Sequence, residues 1–186
     1  VKYHTATVMV PSAYVPRIVA KYGDALKVAT VVGFPNGNCN TAAKIAETAQ
    51  ALADGAQEID MVINIGMLKA GETDYVTDEI RALKKLCGER VLKVIVETCF
   101  LTEDEMVAAC HCVTEGGADF IKTSTGFGSA GAKLSDIECF KNHIGPKVQM
   151  KAAGGIHTRE EMEAFLEAGC TRLGASAAVS VLKDEL

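Results

Sequence analysis

The sequence contains no uninterrupted apolar run of the roughly 18 residues that a membrane-spanning helix requires. Its first residues, V-K-Y-H-T (Val1 to Thr5), also lack the apolar core of a signal peptide. These absences argue against a helical membrane protein and against a secreted precursor. We therefore expect a cytosolic protein with no membrane partner.

An excess of basic residues is also missing. The chain has 19 Lys and Arg against 24 Asp and Glu, which gives a formal net charge of −5 and a pI near 5.4. Nucleic-acid surfaces normally show clustered Lys and Arg, so we expect no nucleic-acid partner. An anionic ligand would have to be held by local chemistry.

Neither the seven cysteines nor the four histidines have the spacing of a metal site. The cysteines are scattered and odd in number, without repeated C-x-x-C, and no H-E-x-x-H is present. We expect no metal and no cofactor. The cysteines are interpreted as small buried side chains in a reducing compartment.

The chain ends in K-D-E-L (Lys183 to Leu186), the letters of an endoplasmic reticulum retention signal. Such a signal acts only on a protein that is already in the secretory route. Because no feature of the sequence directs it there, we interpret the tetrapeptide as a coincidental polar helix end.

The length of 186 residues and the hydrophobic content of 48% predict one globular domain over residues 1–186. Short segments, several almost continuously apolar, predict seven strands. These are Ala6 to Val10, Lys27 to Gly33, Glu58 to Ile63, Leu92 to Glu97, Phe120 to Thr125, Val148 to Ala152 and Arg172 to Gly174.

Amphipathic segments between the strands predict seven helices. They are Tyr14 to Tyr22, Thr41 to Asp54, Thr73 to Cys87, Thr102 to Glu115, Ser135 to Asn142, Thr158 to Ala168 and Ala175 to Asp184. Three of them open on Thr102, Ser135 and Thr158, each with a glutamate three residues later, which is the pattern of a capping box.

This alternation predicts an all-parallel sheet covered by helices, for which a doubly wound sheet and a (β/α)8 barrel compete. Glycine and small polar residues follow strand after strand, whereas a doubly wound sheet normally carries one such turn. We therefore favour an α/β fold of the (β/α)8 TIM-barrel type. Seven strands do not close that barrel, so we expect that the N-terminal first strand and helix are absent from this chain.

Two lysines lie at the ends of predicted strands, Lys122 in F-I-K-T-S-T-G and Lys151 in M-K-A-A-G-G-I. Two ammonium groups about 5 Å apart at an effective dielectric near 20 repel by roughly 3 kcal/mol, or about two pKa units. One amine would then be substantially neutral near pH 8. A neutral amine attacks carbonyl groups, so the pair predicts a Schiff-base enzyme.

Alternation along E-I-D-M-V-I-N places Glu58, Asp60, Val62 and Asn64 on one face, predicted to line the barrel interior. A carboxylate there is often a buried ion-pair partner, but Asp60 shares its face with the two lysines. We expect Asp60 to transfer protons and Glu58 to be structural. Lys93, early in its strand, is predicted to form a structural pair with Glu97 or Glu58.

The ends of the last two strands carry groups suited to a phosphate. Backbone amides at Gly154, Gly155 and Gly174, the Ser176 hydroxyl and a helix starting near Ser176 could form an anion site. Gly126, after the first of the two lysines, is added as a further contact. A plain turn would explain each glycine pair about as well.

Five motifs together resemble deoxyribose-phosphate aldolase: K-T-S-T-G-F, K-A-A-G-G-I, E-I-D-M-V-I-N, L-K-V-I-V-E-T and R-L-G-A-S-A. The resemblance runs in order over essentially the whole chain. It implies a class I aldolase on a (β/α)8 barrel that reversibly cleaves 2-deoxy-D-ribose 5-phosphate into acetaldehyde and D-glyceraldehyde 3-phosphate. By the same resemblance Lys122 is the Schiff-base lysine, Lys151 the lysine that perturbs its pKa, and Asp60 the proton-relay aspartate.

Two alternatives stay open. Another lysine-dependent aldolase on the same barrel would use a different substrate, and a barrel without its first strand could be an inactive fragment. A homodimer is the assembly considered, with the phosphosugar as small-molecule partner.

Overall fold

A computed structural model describes residues 1–183, in which seven parallel strands form one sheet in sequential order. Each strand pairs only with its neighbours along the chain, as repeated β-α units require. The strands are β1 Val8–Val10, β2 Val28–Val32, β3 Glu58–Val62, β4 Val91–Ile95, β5 Phe120–Lys122, β6 Gln149–Ala153 and β7 Arg172–Gly174.

Helices connect the strands and cover the outer face of the sheet. They are α1 Val15–Tyr22, α2 Thr41–Ala53, α3 Ile65–Lys69, α4 Thr73–Cys87, α5 Glu103–Glu115, α6 Leu134–His143, α7 Arg159–Glu167 and α8 Ala178–Val181. Three short 3-10 turns complete the described elements: Ser12–Tyr14, Gly23–Ala25 and Thr98–Phe100.

The capping boxes predicted at Thr102 and Thr158 are confirmed. Each threonine hydroxyl accepts a hydrogen bond from the backbone amide of the glutamate three residues later, and that glutamate's carboxylate accepts one from the threonine amide. The box predicted at Ser135 is wrong, because α6 begins one residue earlier with Lys133 at its N-cap. The short helix α3, capped by the Asn64 side chain, was not predicted. The last helix is shorter than predicted, and residues 184–186, which include most of the K-D-E-L, lie outside the described residues.

The predicted alternation along β3 is confirmed. Ile59, Met61 and Ile63 belong to the apolar core between sheet and helices, whereas Glu58 and Asp60 turn to the other face. The same division holds on β4 to β6, where the core residues are Leu92, Val94, Ile121, Met150 and Ala152. The sheet thus has an apolar outer face and an inner face that carries charged side chains.

The sheet is strongly curled. Neighbouring strands lie about 4.8 Å apart, so β3 and β7 would be about 19 Å apart in a flat sheet. Arg172 on β7 nevertheless donates to Glu58 on β3 at 3.0 Å. Only a sheet rolled on itself brings these side chains together. The structure therefore shows an α/β fold with a curled, seven-stranded parallel sheet.

All seven cysteines are free, and four of them (Cys87, Cys110, Cys112 and Cys170) are buried. Burial raises the pKa of the Cys110 thiol to about 12, so this side chain is a neutral apolar group at ordinary pH. Within residues 1–183, none of the helices has both the length and the apolar character needed to cross a bilayer.

Candidate active site

Strand register places the two predicted lysines next to each other. Lys122 is the last residue of β5, and its partner across the ladder is Lys151 on β6. One step back along the sheet, Lys93 on β4 is the partner of Asp60 on β3. The inner faces of four consecutive strands therefore direct these four side chains into one volume.

Asp60 lies at the centre of this cluster and is fully buried. Its Oδ2 accepts from Lys122 Nζ at 2.9 Å and from Lys151 Nζ at 2.7 Å, while its Oδ1 accepts from Lys93 Nζ at 2.8 Å. The structure therefore brings together the three residues predicted to be catalytic. The two amines that share Oδ2 are about two hydrogen-bond lengths apart at most.

A second layer of charge lies beneath Asp60. Lys93 is also bound to Glu58 Oε2 at 2.5 Å, and Glu58 is paired with Arg172, whose guanidinium lies over the Phe120 ring at 5.6 Å. The predicted Lys93–Glu58 pair is thus confirmed. The prediction missed that Lys93 contacts Asp60 as well, because sequence position does not reveal a cross-strand contact.

The cluster carries more positive than negative charge. Four cations (Lys93, Lys122, Lys151 and Arg172) face two carboxylates (Asp60 and Glu58), which leaves a charge of +2 when all are ionised. Excess charge in a buried site is costly, and losing one proton from a lysine is the simplest way to reduce it.

The direction of the pKa shifts agrees with this charge balance. Burial by itself would raise the pKa of Asp60, but the charges of Lys122, Lys151 and Lys93 outweigh it and hold that pKa well below its usual range. Asp60 is therefore an anion throughout the physiological range. For Glu58 too, burial by itself would raise the pKa, but hydrogen bonds and charge from Lys93 and Arg172 outweigh burial and lower it.

The depressed lysine pKa expected for this pair is found at Lys151. Burial is its largest cause and lowers the pKa of Lys151 to about 8, against the attraction of Asp60 and with the help of the charges of Lys122 and Lys93. Desolvation thus contributes more than the lysine–lysine repulsion from which the shift was predicted. Lys151 is therefore partly neutral near pH 8, and its amine shares one carboxylate oxygen with Lys122, within reach of proton exchange.

The glycines predicted to bind phosphate lie at the C-terminal ends of β5, β6 and β7. Gly126, Gly154 and Gly155 have positive φ values of 90°, 83° and 72°, which favour glycine. No residue among 1–183 accepts a hydrogen bond from these three backbone amides. In the described part of the chain they are therefore free donors at the rim of the curled sheet.

Gly174 and Ser176 follow β7. A Cβ added at Gly174 would lie 3.0 Å from Ala153 Cβ and 3.3 Å from Lys151 Cε, so a larger residue would crowd the second lysine. Ser176 is exposed but does not start the helix, because α8 begins at Ala178 with Ala177 at its N-cap. The helix start expected near Ser176 is therefore two residues later.

Two loop contacts were not predicted from the sequence. Gly131 meets the β6 turn so closely that a Cβ there would lie 2.2 Å from Gly154 O, and Ala132 N donates to that same oxygen at 3.1 Å. Glu97 does not pair with Lys93; its carboxylate instead accepts from the backbone amide of Thr125. The glycine content of the loop after β5 was the one available signal.

The chain is similar to known proteins over nearly its whole length. The family model described as "DeoC/LacD family aldolase" matches residues 2–184. The chain is 58% identical over 185 residues to the deoxyribose-phosphate aldolase of Clostridium botulinum (strain Eklund 17B / Type B), covering 100% of this chain and 84% of that protein.

Solved structures of aldolases have a similar fold. QR15, an aldolase, matches with a TM-score of 0.93 and 35% identity over 99% of this chain and 83% of that one. The tetrameric deoxyribose phosphate aldolase from Aeropyrum pernix matches with a TM-score of 0.88 and 26% identity over 96% of this chain and 76% of that one.

Proposed function

Since this chain belongs to the DeoC/LacD family of aldolases, we propose that it reversibly cleaves 2-deoxy-D-ribose 5-phosphate into acetaldehyde and D-glyceraldehyde 3-phosphate. The reaction is that of a carbon–carbon lyase acting through a lysine Schiff base. The observation that carries this proposal is the pair of buried lysines sharing Asp60 Oδ2, because a buried amine near its pKa is the nucleophile that an aldehyde requires.

Lys122 is the proposed Schiff-base lysine. It is the last residue of β5 and leads directly into the loop that contains Gly126, one of the proposed phosphate contacts. The resemblance of K-T-S-T-G to the family motif supports the same assignment.

In the proposed reaction, neutral Lys122 attacks C1 of the open-chain sugar, and the carbinolamine loses water to give an iminium. A base takes the C3 hydroxyl proton, the C2–C3 electron pair moves to the iminium, and D-glyceraldehyde 3-phosphate leaves with the former C3 of the sugar as its aldehyde carbon. The remaining enamine is protonated at C2 and hydrolysed, which releases acetaldehyde and restores the Lys122 amine.

Lys151 and Asp60 have different parts in the proton transfers. A group exchanges protons best when its pKa is near the working pH, which fits Lys151 with a pKa of about 8. Asp60 stays ionised and is a weak base. We propose that its part in the proton relay is to hold the Lys122 and Lys151 amines on one oxygen, so that a proton can pass between them. It also offsets their positive charge.

The phosphate is proposed to bind at the amides of Gly126, Gly154 and Gly155, with Gly174 and Ser176 on the neighbouring strand end. Amides that have no acceptor within residues 1–183 are suitable donors to phosphate oxygens. Binding at this remote group would orient C1 toward Lys122 and thereby convert binding energy into rate.

Finer features of the fold and assembly are part of the same proposal. The curled sheet is proposed to be seven strands of an eight-stranded (β/α)8 barrel. All its strands are parallel and in sequential order, and its inner face is rolled on itself. Seven free cysteines support a cytosolic location. A homodimer is the assembly we expect, and light scattering would test it.

The decisive experiment incubates the protein with deoxyribose 5-phosphate and borohydride and maps the reduced adduct by mass spectrometry. We expect one adduct on Lys122, and none on Lys122→Met. An adduct on Lys93, or no adduct on the unmodified sequence, would contradict the assignment. Lys85→Met, which removes an exposed lysine of α4, is the matched control and should label normally.

A further inference from the structure

Glu97 is a buried carboxyl group for which the proposed reaction has no use. It follows β4, has 2% of its surface exposed, and adopts a left-handed backbone with φ 55° and ψ 66°. Residues other than glycine rarely adopt this conformation. Its surroundings therefore have to hold it there, and a strained buried acid at the rim of an active site calls for a reason.

The Glu97 carboxylate binds the loop that follows the Schiff-base lysine. Its two oxygens accept from Thr125 N at 3.2 and 3.3 Å, and Oε2 also accepts from the Thr125 hydroxyl. Thr125 Oγ1 in turn accepts from Phe127 N at 3.0 Å. One carboxylate thus fixes the amides on both sides of Gly126.

Gly126 itself remains free to bind a ligand. It is exposed, its amide has no acceptor among residues 1–183, and no atom lies within 4 Å of a Cβ built on it. Its Cα lies 3.5 Å from a Cβ built on Gly154, so the loops after β5 and β6 touch at these two glycines. Two glycines whose amides have no acceptor among residues 1–183 therefore lie next to each other, one in each loop.

The opposite face of the loop is packed tightly. A Cβ added at Gly128 would lie 2.6 Å from Cys99 Sγ and 3.2 Å from the Glu97 carboxyl carbon. Glycine at position 128 therefore lets the loop lie against Glu97, and the hydrogen bonds of Thr125 hold it there. The position of the Gly126 amide is therefore set by Glu97.

We propose that Glu97 is a positioning residue that makes this site selective for a phosphorylated substrate over its unphosphorylated analogue, by holding the Thr125–Phe127 loop so that the Gly126 amide reaches the phosphate together with Gly154 and Gly155. This inference rests on the proposed function. The acceptor oxygens of Glu97 are occupied by Thr125, so the carboxylate organises the loop and does not face the phosphate.

The test compares kcat and KM for deoxyribose 5-phosphate and for deoxyribose in Glu97→Ala and Glu97→Gln. We expect Glu97→Ala to lower the ratio of kcat/KM for the phosphorylated over the unphosphorylated sugar by about tenfold, mainly through a higher KM for the phosphosugar. Glu97→Gln keeps one carbonyl acceptor for Thr125 N and should fall between. Glu103→Ala, which removes an exposed carboxylate of α5, is the matched control.

Thr125→Val gives a second route in case Glu97→Ala does not fold. It removes the hydroxyl that donates to Glu97 and accepts from Phe127, so the ratio should fall in the same direction. An unchanged ratio in folded variants, or an equal loss on both sugars, would overturn the proposal. Failure of the proposed function would show differently, as the absence of a Lys122 adduct in the unsubstituted protein.

Discussion

Asp60 shows how one residue organises this site. It is fully buried, it accepts from three lysines, and its charge stabilises the protonated form of each. The lysines in turn keep Asp60 ionised. The chemistry at this scale depends on how many protons the lysine pair carries, and pH is the direct way to vary that number.

The rate of adduct formation should therefore follow the lysine pair. With acetaldehyde and cyanoborohydride, we expect the initial rate of adduct formation to rise about tenfold per pH unit below about pH 7 and to level off above about pH 8. The direction follows because the neutral amine is the nucleophile and protonation removes it. A rate that continued to rise up to pH 10 would contradict the lowered pKa of Lys151.

Lys93 should tune this pair although it is not proposed to touch the substrate. In Lys93→Met, a cation that lowers the pKa of Lys151 is removed, and Asp60 has only two lysines left to stabilise. Both effects favour the protonated pair, so the midpoint of the pH profile should move up by about one unit. Lys85→Met is the control, and equal midpoints in the two variants would contradict this role.

At the scale of elements, the helix caps separate sequence pattern from structure. Thr158 and Ser135 both precede a glutamate by three residues, but only Thr158 accepts the N3 amide at the start of a helix. We expect Thr158→Ala to lower the free energy of unfolding by about 1 kcal/mol and Ser135→Ala to change it by less than about 0.5 kcal/mol. Urea denaturation would measure both free energies. Equal losses in the two variants would show that Ser135 does cap its helix.

The same comparison shows how far the sequence could predict the elements. Alternation along β3 correctly assigned Ile59 and Met61 to the core and Asp60 to the inner face, because side chains on a strand point to opposite sides in turn. Element ends were less predictable. Lys133, Leu134 and Ser135 are consecutive, and the residue that caps α6 depends on how the preceding loop meets the β6 turn at Gly154.

At the scale of the whole molecule, a second buried ion pair links three elements away from the proposed reacting groups. Lys44 on α2 and Glu79 on α4 are fully buried and 2.7 Å apart, and Lys44 Nζ also donates to Val62 O at the end of β3 at 2.8 Å. This pair joins two outer helices to the strand that carries Asp60. It is therefore a candidate for the stability of the whole chain.

Removing one partner should cost much more than removing both. Lys44→Met leaves the Glu79 carboxylate buried without its cation, and we expect a loss of about 3–5 kcal/mol in the free energy of unfolding. Lys44→Met combined with Glu79→Leu should recover most of that loss. Chemical denaturation measures both, and a double variant less stable than the single one would contradict this account.

An exposed pair provides the comparison. Lys69 and Glu105 are 2.6 Å apart, but their side chains are 44% and 23% exposed. Lys69→Ala should therefore cost less than about 1 kcal/mol. A cost as large as that of Lys44→Met would show that burial is not what distinguishes the two pairs.

Residue spacing along single segments was enough to predict the alternation of strands and helices, the inner face of β3, and the two lysines followed by glycine. Tertiary structure alone decided that Lys93 shares Asp60, that burial more than repulsion lowers the pKa of Lys151, and that Glu97 binds Thr125. Those features depend on the curl of the sheet, which brings together side chains from strands that are distant in sequence and removes them from water.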